Sequence, residues 1–427
     1  MGLSDRLSRR DLTILRNLAT RQLLILPMMR RWSRRAFLVT ASAASAARGT
    51  RVASPRSAFE DTLTGREVER LTDPGVLHHL PGPNHRCISR NGSFVVVAAE
   101  HGGNRQFHRL DIRRERLTQI TAGPPVHPYA AHLRGNDRGL YFLQGSQLVQ
   151  SDIGGGGARA LYECPGGWSL TGDLDLSAGE RFAAVIEMRE EDVRPTPSAQ
   201  FEARPRCRIV LVDCGSRATR GASTVICEER RWLASPRFRP WRSQLLFERA
   251  GPWQRVRQRL QIINLDGTGR RAARSAQGGE RIRSAYWSAD GSQLRFAHFP
   301  DGRKWSSSIR NLQPETGSET THAPCSAYDW MVENADASTI LGASRRPSGP
   351  NLYVLFPGMS REITLCEHRS TLRPYPMAGT DRTDPNAASP APAITRDSSR
   401  VYFVTDWEGN PTLYRMAIDD LVEETSG

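Results

Sequence analysis

Thr395-Arg-Asp-Ser-Ser-Arg-Val-Tyr-Phe-Val-Thr-Asp-Trp-Glu-Gly-Asn-Pro-Thr-Leu-Tyr414 decides the fold. A polar turn at Asp397-Ser-Ser-Arg400 leads into the apolar run Val401-Tyr-Phe-Val404. Glu408-Gly-Asn-Pro411 turns the chain, and a second apolar run begins at Thr412. Short apolar runs bounded by Gly, Asn, Asp and Pro are the pattern of paired β-strands. The stretch before it, Asp384-Pro-Asn-Ala-Ala-Ser-Pro-Ala-Pro392, is a loop of small side chains.

The same module recurs upstream. Ser89–Ala98 pairs with Phe107–Asp111, Arg134–Leu143 with Leu148–Asp152, and Leu176–Val185 with Ile209–Asp213. Arg239–Phe247 pairs with Ile262–Asp266, Ser288–Ala297 is a fifth copy, and Asn334–Leu341 with Leu352–Leu355 a sixth. A repeat of about 45–60 residues with four short strands per unit is the mark of a β-propeller. Seven units imply seven blades. The seventh lacks an outer strand before the chain ends, whereas Gly65-Arg-Glu-Val-Glu-Arg-Leu-Thr72 offers one at the other terminus. Residues 58–72 are therefore expected to complete the last blade and remove two exposed sheet edges. A pair of β-sandwiches, the rival architecture, has no need of that complementary strand.

The chain has 427 residues and a net charge of +14. Residues 1–50 hold ten arginines against Asp5 and Asp11, so eight of those charges lie there and the body carries +6. Lys304 is the sole lysine among 59 basic residues. No basic run with interleaved aromatics marks a nucleic-acid surface in the body. Ser33-Arg34-Arg35-Ala36-Phe37-Leu38 resembles a twin-arginine export motif, and Ala41-Ser-Ala43 and Ala44-Ser-Ala46 resemble cleavage sites. Met28 or Met29 would serve as an alternative start with a short basic n-region. The expected organisation is an export signal over residues 1–47, a linker over 48–57 and a propeller over 58–427, with a periplasmic or secreted destination. Arg16 and Arg21 interrupt the apolar part of residues 11–29, which argues against a stable membrane span. The seven cysteines include no C-x-x-C and fix no pairing.

Several stretches, in order and spacing, resemble the oligogalacturonate lyase family of seven-bladed propellers. They are Thr64–Thr72, Gly103-Asn-Arg105, Pro205–Asp213, Trp232–Pro240, Ala250-Gly-Pro252 and Thr405-Asp-Trp-Glu-Gly409. The resemblance implies β-elimination of short pectin fragments. A base takes the proton beside a uronate carboxylate, while a divalent metal such as manganese and an arginine hold the charge that develops there. Matched residue by residue, the assisting arginine is Arg259. The base position holds Ser284, and the metal positions hold Ala327, Asn386, Ser389 and Ala391. A rim histidine of the family matches His79. Serine is a poor base near neutral pH without a partner, and this set of small side chains predicts no metal cofactor.

Other constellations are weighed beside these. His78, His79, His85 and His132 are read as a relocated site or as loop hydrogen-bonders. Arg237, Arg239, Arg255, Arg257, Arg259 and Arg283 would clamp a polyanion, since guanidinium forks match carboxylates, or would simply solvate a surface. His79, Arg105, Arg239 and Arg257 are the expected substrate-binding residues. Among the tryptophans, Trp253 is the candidate for stacking on a sugar. Gly154–Gly157 has no following helix and reads as a turn. The expectation is thus an acidic-oligosaccharide binder of impaired catalysis. An active lyase with a rearranged site and a protein-binding propeller are the alternatives.

Overall fold

The computed structural model describes residues 49–82, 84–215, 222–300, 307–345, 349–373, 375–376, 383–384 and 388–426. Among them, seven antiparallel sheets of four or five strands follow one another along the chain, and an eighth sheet is a two-stranded pair. They are the seven blades of a β-propeller. The innermost strands are Leu77–His79, Val126–Leu133, Trp168–Leu176, Leu233–Phe238, Arg281–Trp287, Trp330–Glu333 and Ala393–Ile394. Each starts at one end of the central channel, here the upper mouth, and runs to the lower mouth. In an up-and-down blade the hairpin between the second and third strands returns to the upper side.

The last blade closes as the sequence predicts. Ala393–Ile394, Arg400–Thr405 and Thr412–Ala417 are joined by Glu67–Arg70 and then Ser57–Glu60 from the other terminus. Glu69 lies opposite Arg415 in the register. The Arg415 guanidinium donates to both Glu69 oxygens at 2.7 and 2.6 Å. The Leu71 amide adds a bond to the Leu413 carbonyl. One expectation needs correction: the stretch read as a linker holds the strand Arg51–Ala53, paired with Arg116–Gln119 at the outer edge of the first blade. Three polar-flanked residues carry little strand signal of their own; the open edge of Arg116–Gln119 supplies the partner.

Second strands are the most buried, as in Phe94–Ala99, with Val95–Ala99 wholly inaccessible. Alternation is lost there because both faces pack against neighbouring blades, as in Phe107 on Phe142 at 5.8 Å between ring centroids. Four successive inner strands carry irregular registers, at Val126/Ala131, Leu170/Leu174, Ala234/Arg237 and Arg283/Tyr286. Bulges re-aim side chains beside sites, and Ser235 and Ser284 stand in them with φ of 53° and 50°. All seven cysteines are free thiols. No helix among the described residues is long and apolar enough to cross a membrane.

Candidate functional site

Arg259, Arg283, Ser284, Ala327, Asp329 and Arg345 come together at the upper mouth from three neighbouring blades. Arg259 opens the third strand of the fourth blade. Its guanidinium donates to the Gly251 carbonyl and lies 3.7 Å from Glu248. Burial, opposed by Glu248, and then the charge of Arg283 hold it below the ordinary guanidinium value. Arg283 is half-exposed, with Asp329 3.7 Å away. Asp329 accepts the Arg345 amide at 3.1 Å. Burial, opposed by Asp329, and then Arg283 also lower Arg345, whose guanidinium lies over the Trp330 ring at 4.9 Å. Three guanidiniums thus share a partly desolvated corner with two carboxylates. Arginines remain charged under such conditions, so the corner presents net positive charge to an incoming anion.

The positions for base and metal are fixed but chemically empty-handed. Ser284 donates its hydroxyl to the Asp329 carbonyl at 2.9 Å, so its oxygen is held as a structural donor. The Ala327 loop is pinned by Glu362, which accepts the Ser326 amide at 2.8 Å, the Ser326 hydroxyl and the Tyr328 hydroxyl. Ala327 and Ala391 are buried methyl groups. Ser389 is buried too, and its hydroxyl has no hydrogen-bond partner. Its loop is tied down where Ser370 donates to the Ala388 carbonyl and to Asp406, which also accepts the Thr371 amide at 2.7 Å. Asn386 lies outside the described residues. One hydroxyl and two methyls offer manganese nothing to replace its water. No three His, Cys, Asp or Glu side chains group as metal ligands among the described residues. The described residues at these positions do not fit the metal.

The other expected binding residues separate. Arg105 is on the upper side but buried, its guanidinium taken by Glu100 at 2.8 and 3.2 Å. His79 is buried, with its ring edge-on to Tyr129 at 5.8 Å. Arg257 is exposed on the upper loop of the fourth blade, where it lines a crevice with Trp253 and Arg259. Arg239 departs from the expectation. It follows the end of its inner strand, lies towards the lower side, and donates to the Gly291 carbonyl at 2.6 Å, to Gln244 and to Glu315. Stacked over Trp287, it is an interblade strut. Arg255 is spent on Glu202 and Phe201. The histidine group divides as well, because His78 bonds the Val76 carbonyl while His85 and His132 lie at the lower mouth.

Arg345, Asp329, His127 and Asp173 are absent from the sequence expectations. Asp173 accepts from Thr171 and the Ser235 amide. His127 lies close enough to feel both Arg105 and Asp173, and burial lowers its value from the ordinary one. Gly172, at φ 93°, brings the backbone against that ring: a Cβ there would stand 3.3 Å from Nδ1. No motif announces these groups; they meet only when the ring closes.

Fold and site define a seven-bladed propeller whose channel opens on an arginine-rich mouth. The oligogalacturonate lyase family profile matches residues 46–422, and the chain belongs to that family. It is 26% identical over 398 residues to the oligogalacturonide lyase of Pectobacterium atrosepticum, covering 88% of this chain and 99% of the relative. It is 25% identical, with the same coverage, to the oligogalacturonate lyase of Dickeya dadantii. A solved oligogalacturonate lyase in complex with manganese superposes with a TM-score of 0.81 at 26% identity, covering 88% of this chain and all of that one. An oligogalacturonate lyase from Vibrio parahaemolyticus gives 0.78 at 22% identity, again over 88% of this chain and all of that one, and speaks to the fold.

Proposed function

We propose that this protein binds acidic oligosaccharides, pectin fragments in particular, at the upper mouth, and that the family's metal-dependent elimination is impaired in it. The observation that carries this reading is the convergence of Arg259, Arg283 and Arg345 beside Ser284 and Ala327. Guanidinium forks suit the regularly spaced carboxylates of an oligouronide. Among the described residues the family's base position there holds Ser284, and its metal positions offer no imidazole or carboxylate. An exported protein, its signal within residues 1–47, would meet such fragments outside the cytoplasm.

The lyases among its relatives favour a second reading, an active enzyme with a rearranged site. His127, held neutral by burial and set near Asp173 on the upper side, is the described residue best suited to accept a proton there.

Purified protein is mixed with di- and trigalacturonate plus manganese, following binding calorimetrically and the unsaturated product by ultraviolet absorbance. The expected result is salt-sensitive binding without turnover. Arg259→Ala and Arg345→Ala should each weaken binding about 10- to 100-fold, the range of a lost charge-assisted hydrogen bond. Turnover that collapses in Arg259→Ala would establish the active enzyme. Neither turnover nor binding would leave a protein-binding propeller.

A further inference from the structure

Asp329 immediately precedes Trp330–Glu333, the inner strand of the sixth blade, and Arg345 lies just past Ile340–Ala343, the strand that pairs with it. Trp330 lies opposite Ala343 in the register, and the Asp329 amide adds one more rung by donating to the Ala343 carbonyl at 2.9 Å. Backbone pairing between these two segments stops there. The Asp329 side chain carries it further, because the Arg345 amide donates to Oδ2 at 3.1 Å. That bond fixes where the chain leaves the blade, with the Arg345 guanidinium over the Trp330 ring at 4.9 Å. The Asp329 carbonyl in turn accepts the Ser284 hydroxyl of the neighbouring blade at 2.9 Å. One residue thus ties two blades together at the corner.

The same side chain is an anion inside an anion site. Its Oδ1 stands 3.7 Å from the Arg283 guanidinium, beyond hydrogen-bond length. Arg283 therefore keeps its donors, and so does Arg345: among the described residues neither guanidinium donates a hydrogen bond. A carboxylate at that distance still subtracts from the positive potential that an incoming anion meets, because Coulomb attraction falls only as the inverse of distance. Position and charge are two contributions of one side chain, and they act on anion binding in opposite directions.

We infer that Asp329 is the positioning residue of the upper mouth, holding Arg345 in place through its amide while its own charge limits how tightly the corner holds an anion. A site so arranged exchanges its ligand faster than three unopposed guanidiniums would. The inference rests on the oligosaccharide reading for its ligand, though not for its two opposed effects.

The test titrates trigalacturonate into the full chain and its variants by calorimetry. Asp329→Asn keeps an oxygen that accepts the Arg345 amide and removes the charge. It should bind at least about fivefold tighter than the parent protein, with a steeper dependence on salt. Asp329→Ala removes both contributions and should bind at least about fivefold more weakly than Asp329→Asn. A residue that merely supports the fold would lower affinity in both variants. Asp329→Leu takes the place of Asp329→Ala if that protein does not fold. Either of two results would overturn the inference: Asp329→Asn no tighter than the parent, or the two variants alike in affinity. If the parent does not bind trigalacturonate, the oligosaccharide reading fails by itself, and inorganic sulfate titrated into the same proteins decides Asp329 on the same two ratios. Sulfate bound by none of them would overturn this inference as well.

Discussion

At the upper mouth three guanidiniums surround a loop of alanine and serine; at the lower mouth Arg86, Arg90, Arg237 and Arg396 line a cavity with His85 and His132, two imidazoles that burial holds neutral. Both ends belong to the same seven inner strands, yet their polar groups are arranged differently. The upper corner is rich in charge, with three guanidiniums beside two carboxylates. The lower cavity sets charged side chains, Arg237 and Asp175 among them, against the apolar wall of Phe238 and Trp287. A propeller channel thus has two mouths joined by one scaffold, and the groups at one end do not determine those at the other.

The harshest way to break this comparison is acid. Burial pushes His78 down to about 3 and His108, His132 and His368 to about 4. In the unfolded chain these residues titrate near the ordinary histidine value, about 6.5. Below it the unfolded chain binds protons that the fold refuses, so stability is lost as pH falls from about 6.5 towards 4. Each group can withdraw on the order of 3 kcal/mol. Asp175, raised to about 6, acts in the opposite sense and offsets part of the loss. Urea unfolding at pH 7, 5.5 and 4.5 should show a steeply falling midpoint. Hydrogen exchange should rise first in the upper half, where His78 and His368 sit.

A milder change addresses the upper mouth. Gly342 faces the Tyr328 ring so closely that an added Cβ would stand 2.5 Å from its atoms. Gly342→Ala should displace Tyr328 from Glu362, loosen the Ala327 loop and cost about 1–3 kcal/mol, as overpacking does. Oligogalacturonide binding at the upper mouth should weaken, and calorimetry on the folded variant checks it. The smallest effect is expected of Arg257→Ala. Its exposed guanidinium should change stability by less than about 0.5 kcal/mol, and oligogalacturonide affinity no more than threefold, which would confine the upper site to Arg259, Arg283 and Arg345.

The blades were legible because turn chemistry and apolar runs are local properties, and the missing outer strand of the last blade was legible as an arithmetic gap. The strand at Arg51–Ala53 was not, because its edge partner rather than its own composition makes it a strand. The arginines show the limit for sites. Arg237, Arg239 and Arg259 are close in sequence, but an inner strand crosses the whole channel and separates them by its length. Arg345 lies far along the chain from Arg259, and blade packing makes them neighbours. Spacing that serves a helix or hairpin motif has no counterpart for groups assembled around a ring.

The closing strand also sets an order in time. Glu69 and Arg415 are 346 residues apart, so a segment synthesised early must wait for one of the last before the ring can lock. Until then the N-terminal strands and the rest of the last blade each show a bare edge, and the nascent chain is open to pairing with a neighbour. Loop closure grows only slowly more demanding with length, so the delay lies in synthesis more than in entropy. Trimming either terminus should therefore leave the same open ring.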